Sequence, residues 1–273
     1  MSAFADPAAF RGAVRRGAFR GTTAGLLPGF VQANLVVLPA SWAEEFVEFC
    51  ARNPRPCPLL DVTATGSPHP LRLAPGADLR TDVPGYRVFS DGAFRETTDL
   101  LQEWNESSVG FLLGCSFTFE RALQEAGVPL RHLERGRTVP MYRTSLTCTP
   151  TARLAGPMVV SMRPIPRALV SLASEISARY PGSHGAPVQV GGPAALGITD
   201  LARPDFGDPA DIGADEVPVF WACGVTPQVI LAQSGCERFA AHMPGRMFVG
   251  DAPETIGILP AGAARAQLGG ARP

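Results

Sequence analysis

Lysine is absent from this chain, because all 24 of its basic residues are arginine. The absence excludes reactions that need a lysine side chain, such as an internal Schiff base with pyridoxal phosphate, a Schiff-base aldolase or a Walker-type phosphate site. A bound carboxylate must therefore be held by arginine, hydroxyl, amide or backbone N–H groups. The planar guanidinium suits this task because it can donate two parallel hydrogen bonds to one carboxylate.

Excess charge and long apolar runs are also lacking. The 25 acidic residues nearly balance the arginines, and the formal net charge is −1. The sequence shows no basic surface for nucleic acid, no apolar run as long as a membrane span and no signal peptide. We therefore expect a cytoplasmic protein that binds neither nucleic acid nor a membrane, and a homo-oligomer is compatible with the sequence.

The six cysteines have no short paired spacing, and neither a Cys-x-x-Cys motif nor a His/Cys cluster occurs. Zinc sites normally need such clusters, and a chain of 273 residues can build a core without disulfides. The sequence therefore predicts no metal and no organic cofactor.

The stretch Val217–Leu231 predicts a buried strand, a tight corner at residues 222–224 and the start of a helix. Thr226 followed by Pro227 is typical of a helix start. Such a corner presents free backbone N–H groups to whatever lies above it.

A second strand–corner–helix unit is predicted over Phe111–Gly127. The aligned pairs are Cys115 with Cys223, Ser116 with Gly224, and Thr118 with Thr226. If the pair is structural, we expect both corners at adjacent strand ends of one sheet, facing one pocket for an anion. The two cysteines could be nucleophiles if the helix starts lower their pKa. The alternatives are a chance match and two small core residues.

A glycine-rich loop over residues 20–30 precedes two amide side chains, Gln32 and Asn34. Such a loop lets the backbone approach a ligand closely, and the two amides could bind it. A structural turn is the equal alternative.

Residues 135–192 read as a β-β-α-β block. We predict an α/β protein with a three-layer α/β/α main domain, residues 1–134 plus 193–251, and this block as an inserted two-layer α+β domain. Residues 252–273 are rich in Ala, Gly and Pro and predict a mobile tail.

Polar residues stand near the ends of these elements. Arg143 and Arg163 end predicted strands and could clamp a carboxylate, or they could bridge the two domains. His184 lies in a turn, and Asp205 lies in a run of Pro, Gly and Asp. Either could act as the acid or base, and a turn role is the alternative for both.

Nine segments together resemble one family. They are residues 24–39 (AGLLPGFVQANLVVLP), 52–60 (RNPRPCPLL), 80–89 (RTDVPGYRVF), 114–120 (GCSFTFE), 139–144 (VPMYRT), 159–164 (VVSMRP), 184–188 (HGAPV), 203–208 (RPDFGD) and 219–228 (VFWACGVTPQ). They resemble the bacterial hydro-lyase family, which is similar to the D-glutamate cyclase domain of mitochondria.

The resemblance implies an α/β architecture with two subdomains and a carbon–oxygen lyase that releases water, as in the conversion of D-glutamate to 5-oxo-D-proline. It brings no assigned catalytic residue, so the roles of the candidate residues rest on chemistry. The tetrahedral oxyanion needs donors, and the leaving oxygen needs a proton. We assign the donors to the helix starts, 116–118 and 224–226.

Two other functions stay open. A non-catalytic protein could bind a small carboxylate in the same pocket, and a metal-assisted dehydratase could use Asp205, Asp208 and His184. Turnover of a small amino or hydroxy acid would separate an enzyme from a binding protein, and metal analysis would test the dehydratase.

Overall fold

The computed structural model describes residues 4–269. The helices are α1 (Pro7–Arg15), α2 (Ala40–Arg52), α3 (Phe117–Glu125), α4 (Arg131–Glu134), α5 (Val170–Ala178), α6 (Thr226–Leu231) and α7 (Ala261–Leu268). The strands are β1 (Phe30–Pro39), β2 (Leu59–Val62), β3 (Tyr86–Ser90), β4 (Ala93–Thr97), β5 (Ser108–Gly114), β6 (Met141–Thr147), β7 (Pro157–Pro166), β8 (Gln189–Val190), β9 (Glu216–Ala222), β10 (Arg238–His242) and β11 (Phe248–Pro253). The predicted mixture of helices and sheets is confirmed.

The larger sheet has the strand order β2-β5-β1-β10-β3-β4, and β11 also pairs with β1. Its pairings are antiparallel. The central strand β1 is buried from Val31 to Leu38 because both of its faces are covered. Phe46 of α2 packs on one face against Phe111, and Tyr86 lies in the core cluster of the other face.

The smaller sheet has the order β6-β7-β9-β8 and is also antiparallel. One of its faces carries Trp221, which packs with Phe119 of α3 and Ile176 of α5. The predicted domain boundaries assign the residues of β9 to the main domain. In the structure, β9 pairs with β7 of the smaller sheet along its whole length. The smaller sheet therefore extends beyond residues 135–192.

The predicted tail contains more structure than the sequence indicates. Residues 252 and 253 complete β11, and α7 packs on α2, where Ala264 and Leu268 are buried. The helix α7 was not predicted, because its sequence AGAARAQL consists mainly of small residues and shows little apolar periodicity. Residues 270–273 of the predicted tail lie outside the described residues.

Between residues 4 and 269, no helix combines the length and the apolar character that crossing a membrane requires.

Candidate functional site

The two cysteine corners meet, although their strands belong to different sheets. Cys115 follows β5 of the larger sheet, and Cys223 follows β9 of the smaller one. The prediction of adjacent strand ends in one sheet is therefore wrong. The physical reason is that β9 takes up the hydrogen bonds of β7, whose other edge is occupied by β6.

Asn34 of β1 joins the two corners. Its Nδ2 donates a hydrogen bond of 2.6 Å to the carbonyl of Gly114. A β-carbon on Gly224 would lie 2.1 Å from the same Nδ2, so the second corner can approach only because residue 224 is glycine. We call Asn34, Gly114, Cys115, Cys223 and Gly224 the corner cluster. The sequence analysis named Asn34, Cys115, Cys223 and Gly224 as separate candidate residues, and the structure brings them together.

The two thiols differ in exposure but share one electrostatic tendency. Cys115 is buried, whereas Cys223 is half-buried. Burial raises the pKa of Cys223 to about 11 and raises the pKa of Cys115 well above its usual value. The backbone N–H groups near each sulfur act in the opposite direction but do not outweigh burial. The lowered pKa on which the nucleophile hypothesis depended is therefore not found.

Arg163 lies fully buried beside the first corner, in a network that the sequence did not predict. Its Nε donates to Glu120 at 3.0 Å, and its Nη2 donates to Ser116 Oγ at 2.9 Å. Nε2 of His132 lies 2.8 Å from the same oxygen of Glu120. Burial alone would raise the pKa of Glu120, but the nearby His132 and Arg163 hold it below its ordinary value. The charge of Arg163 is therefore neutralised within the protein.

Three of the predicted binding residues use their polar groups to connect elements of the fold. Thr118 Oγ1 accepts from the N–H of Gln32 at 3.1 Å and ties α3 to β1. Thr226 Oγ1 accepts from the N–H of Val159 at 2.9 Å and ties α6 to β7. The side chain of Gln32 donates to the carbonyl of Thr23 at 2.9 Å, which anchors the glycine-rich loop. Gln32 and Thr118 also line a pocket beneath that loop.

His184 is a buried turn residue next to the first corner. Its backbone is left-handed, with φ of 79°, and its Nδ1 donates to the carbonyl of Arg55 at 2.6 Å. Burial lowers the pKa of His184 to about 4, so the ring is neutral near pH 7. A β-carbon on Gly114 would lie 1.6 Å from the carbonyl oxygen of Gly182, which shows how closely this turn packs on the corner.

Arg143 and Asp205 form a second group. The N–H of Arg143 donates to Asp205 Oδ2 at 2.8 Å, and both side chains are exposed. They line a polar pocket with Asp200 and Arg203. The guanidinium of Arg143 lies 5.7 Å from the ring centre of Phe206, and Phe206 packs against the apolar cluster that contains Cys115.

The metal-assisted alternative finds no ligand set in the part of the chain that the structure describes. No three His, Cys, Asp or Glu residues come together there in a way that could hold a metal ion. Asp208 instead accepts from the N–H of Thr138 at 2.8 Å, and His184 is engaged with the carbonyl of Arg55. The trio Asp205, Asp208 and His184 is therefore not assembled.

Sequence reasoning missed a polar row beside the corner cluster. Nδ1 of His242 accepts from the N–H of Leu35 at 3.1 Å, where β1 changes partner from β11 to β10. Gln228 Nε2 lies 3.3 Å from the same Nδ1, and Arg87 Nε donates to Gln228 Oε1 at 2.8 Å. Burial lowers the pKa of His242 to about 3 and that of Arg87 to about 10. Arg87 and Gln228 are polar residues in otherwise apolar segments, which was the available signal.

Comparisons with known proteins identify the family of the chain. The model of the D-glutamate cyclase family matches residues 109–251. A protein of Rubrobacter xylanophilus named "Putative hydro-lyase" is 59% identical over 239 residues, which is 87% of this chain and 92% of that protein. Proteins with the same name from Stutzerimonas stutzeri and a Nocardioides species are 51% and 54% identical; they cover 95% and 88% of this chain, and 99% and 89% of their own lengths.

The chain belongs to the D-glutamate cyclase family, as the nine segments predicted. A solved structure of a nitrogen repressor-like protein from Methanococcus jannaschii overlaps 89% of this chain and 98% of its own. Its TM-score of 0.36 and identity of 9% are too low to bear on the fold or the function.

Proposed function

We propose that this protein is a cofactor-independent carbon–oxygen lyase that acts on a small amino or hydroxy acid and releases water. The first substrate to test is D-glutamate, with 5-oxo-D-proline as its product. Membership of the D-glutamate cyclase family supports this reaction class. The structural observation that carries the proposal is the convergence of two corners on Asn34, with the half-buried residue Cys223 at the junction.

The reaction needs positioning and proton transfer, and the atoms balance without another reactant. The amine nitrogen of D-glutamate attacks the carbon of its own side-chain carboxyl group, a C–N bond forms, and one oxygen leaves as water. The enzyme must hold the chain in its folded-back conformation, stabilise the tetrahedral oxyanion and protonate the leaving oxygen.

Cys223 is the predicted catalytic residue that best fits the last of these tasks. Its pKa of about 11 means that the thiol keeps its proton near pH 7, so Cys223 has a proton to donate and forms little thiolate for attack. His184 has a pKa of about 4 and its Nδ1 proton is already donated to Arg55, so it is the weaker candidate. Asn34 acts as a positioning residue because its amide fixes the first corner.

The test is turnover by the purified full chain with no added cofactor. D-glutamate, L-glutamate and a panel of small hydroxy acids are incubated with the protein, and products are separated by chiral chromatography. We expect 5-oxo-D-proline from D-glutamate. Cys223→Ala should lower kcat by roughly 10²–10⁴-fold, the usual contribution of a general acid.

Cys236→Ala is the matched control, because it removes the same atoms from a buried cysteine of another region. Equal activity of the two variants would remove Cys223 from the mechanism. Unchanged acids throughout, combined with saturable binding of one of them, would replace the lyase by a carboxylate-binding protein.

A further inference from the structure

Among residues 4–269, four half-buried arginines form no ion pair: Arg20, Arg72, Arg87 and Arg246. Two of them are satisfied by backbone carbonyls, since Arg20 donates to Val14 and Arg72 donates to Leu60. Arg87 and Arg246 differ, because neither a carboxylate nor a backbone carbonyl of the described chain accepts from their guanidinium groups. A cation that is partly removed from water without a counter-ion is costly, and such a group fits a site for an anion.

Arg87 is held ready for an anion by neutral groups. Its Nε donates to Gln228 Oε1 at 2.8 Å, and its guanidinium lies 4.2 Å from the ring centre of Phe94. The cross-strand neighbour of Arg87 is the exposed Glu96, whose charge acts to raise the pKa of Arg87 but which forms no ion pair with it in the described chain. The amide and the aromatic ring orient the guanidinium without cancelling its charge.

Arg246 is brought to the same face of the sheet by a glycine. A β-carbon on Gly85 would lie 2.7 Å from Arg246 Nη1, so the guanidinium covers the space where a side chain would stand. Gly85 directly precedes β3 and continues its pairing, since its carbonyl accepts from the N–H of Met243 at 3.0 Å. Residues two apart along a strand point to the same face, so positions 85 and 87 share a face. The only acceptor within reach of Arg246 in the described chain is the sulfur of Met243, at 3.3 Å, which is a weak acceptor.

This arginine pair adjoins the corner cluster. Gln228, which holds Arg87, lies in α6, and α6 begins at Thr226, three residues after Cys223. Gln228 also contacts His242, and His242 accepts from Leu35, the neighbour of Asn34 in β1. The register of the sheet places the same residues on one face. Val36 lies opposite Ala241, which lies opposite Arg87, so the side chain of Asn34, two residues before Val36, points to the face that carries Arg87.

We propose that Arg87 and Arg246 form a clamp for a carboxylate, which makes the substrate a small dicarboxylate. This inference rests on the proposed function, since one carboxylate is held by the clamp while the other reacts at the corner cluster. Gln228 is a positioning residue that orients Arg87. The clamp gives a role to two half-buried guanidinium groups that form no ion pair within residues 4–269.

Binding of an unreactive dicarboxylate tests the clamp separately from turnover. Glutarate has both carboxylates but no amine, so it cannot cyclise, and butyrate provides the matched monocarboxylate. Calorimetry on the full chain should show glutarate binding clearly more tightly than butyrate. Arg87→Met and Arg246→Met should each weaken glutarate binding by about tenfold or more, the usual effect of losing a charge-assisted hydrogen bond. Arg20→Met, with its side chain equally half-buried, should bind as the native chain does.

Gln228→Glu provides a second variant in case a methionine variant fails to fold. It keeps the size of the side chain and supplies Arg87 with the counter-ion that it lacks, so glutarate binding should fall while the protein stays folded. Native binding by this variant and by the folded methionine variants would overturn the clamp, as would a native chain that does not bind glutarate.

The kinetic arms separate the two proposals. If D-glutamate turns over, Arg87→Lys should raise KM more than it lowers kcat, because a uniform binding contact is weakened. Turnover with unchanged KM in all arginine variants would sink the clamp and leave the lyase intact. Glutarate binding that depends on the arginines, without any turnover, would support the clamp and refute the lyase.

Discussion

Asn34 and Gly224 touch across the junction of the two sheets, and a single added methyl group would force them apart. The β-carbon of Gly224→Ala would lie 2.1 Å from Asn34 Nδ2, and Asn34 cannot retreat without losing its 2.6 Å bond to Gly114. Overpacking of this kind costs about 1–3 kcal/mol. We therefore expect Gly224→Ala to lower the free energy of unfolding by that amount, measured in urea.

Gly257→Ala is the control, since a β-carbon there would meet no atom within 4 Å and its backbone is not left-handed. Its stability should stay within a few tenths of a kcal/mol of the native chain. A native-like stability for Gly224→Ala would mean that the two corners are not packed on Asn34.

The secondary structure around the corner cluster could be predicted from the sequence, but the sheet to which each strand belongs could not. Strand, corner and helix at Val217–Leu231 follow from apolar runs, small residues and Thr226-Pro227. The choice of sheet does not, because it depends on which edge of β7 is free. Which strand pairs with β7 depends on contacts between segments that are far apart in the chain, and the local sequence pattern does not specify such contacts.

Burial weakens the roles predicted for Arg163 and the two cysteines, and the spacing of residues along the sequence does not show which side chains are buried. Arg163 stands at a strand position that also suited a substrate clamp, and only the structure shows Glu120 beside it. The thiols were expected to be acidified by helix starts, yet removal from water raises the pKa of Cys223 to about 11. Catalytic and binding roles for the sequence-selected residues stay predictions.

Glu120 should be essential to stability, because it neutralises Arg163 where neither side chain is exposed. Removal of one partner from a buried ion pair typically costs about 3–5 kcal/mol. Glu120→Gln should therefore lower the free energy of unfolding by an amount in or near that range. Glu125→Gln changes the same group in the same helix, but the side chain of Glu125 is 61% exposed and pairs with Arg121.

The Glu125 variant should lose at most about 1 kcal/mol, as surface ion pairs do. Chemical denaturation of both variants at pH 7 provides the comparison. Equal effects of the two substitutions would contradict a buried, charge-dependent network around Arg163.

Stability should fall between pH 6.5 and pH 4 because two buried histidines resist protonation. The pKa of His184 is lowered from 6.5 to about 4 and that of His242 to about 3. Below pH 6.5 the unfolded chain takes up protons that the folded chain refuses, so unfolding becomes easier as the pH falls. The contribution of His184 is fully present above pH 6.5 and is lost by about pH 4, a change of roughly 3 kcal/mol.

The variant His184→Asn isolates the contribution of His184 to the pH dependence of stability. Asparagine tolerates the left-handed backbone at residue 184, can donate to the carbonyl of Arg55 and does not titrate. Its free energy of unfolding should therefore depend less on pH between 6.5 and 4 than that of the native chain. An identical pH profile would show that the ring of His184 is hydrated. Glu120 affects the profile at lower pH, because its pKa in the folded chain is held below the ordinary 4.5. Its stabilisation is fully present above pH 4.5 and is lost as the pH falls from there through the lowered pKa.

Alkylation of the thiols distinguishes a proton donor from a nucleophile at the corner cluster. Only the thiolate reacts with iodoacetamide, so a pKa of about 11 for Cys223 predicts slow labelling at pH 7 and a rate that rises about tenfold per pH unit up to pH 10. Cys115 is buried and its pKa is raised further, so it should label more slowly at every pH. Peptide mapping by mass spectrometry gives both rates, and labelling in urea shows the intrinsic reactivity of each peptide. Fast labelling of Cys223 at pH 7 with little dependence on pH would mean a stable thiolate. The lyase would then use Cys223 to attack the substrate, and the proton for the leaving oxygen would have to come from another residue.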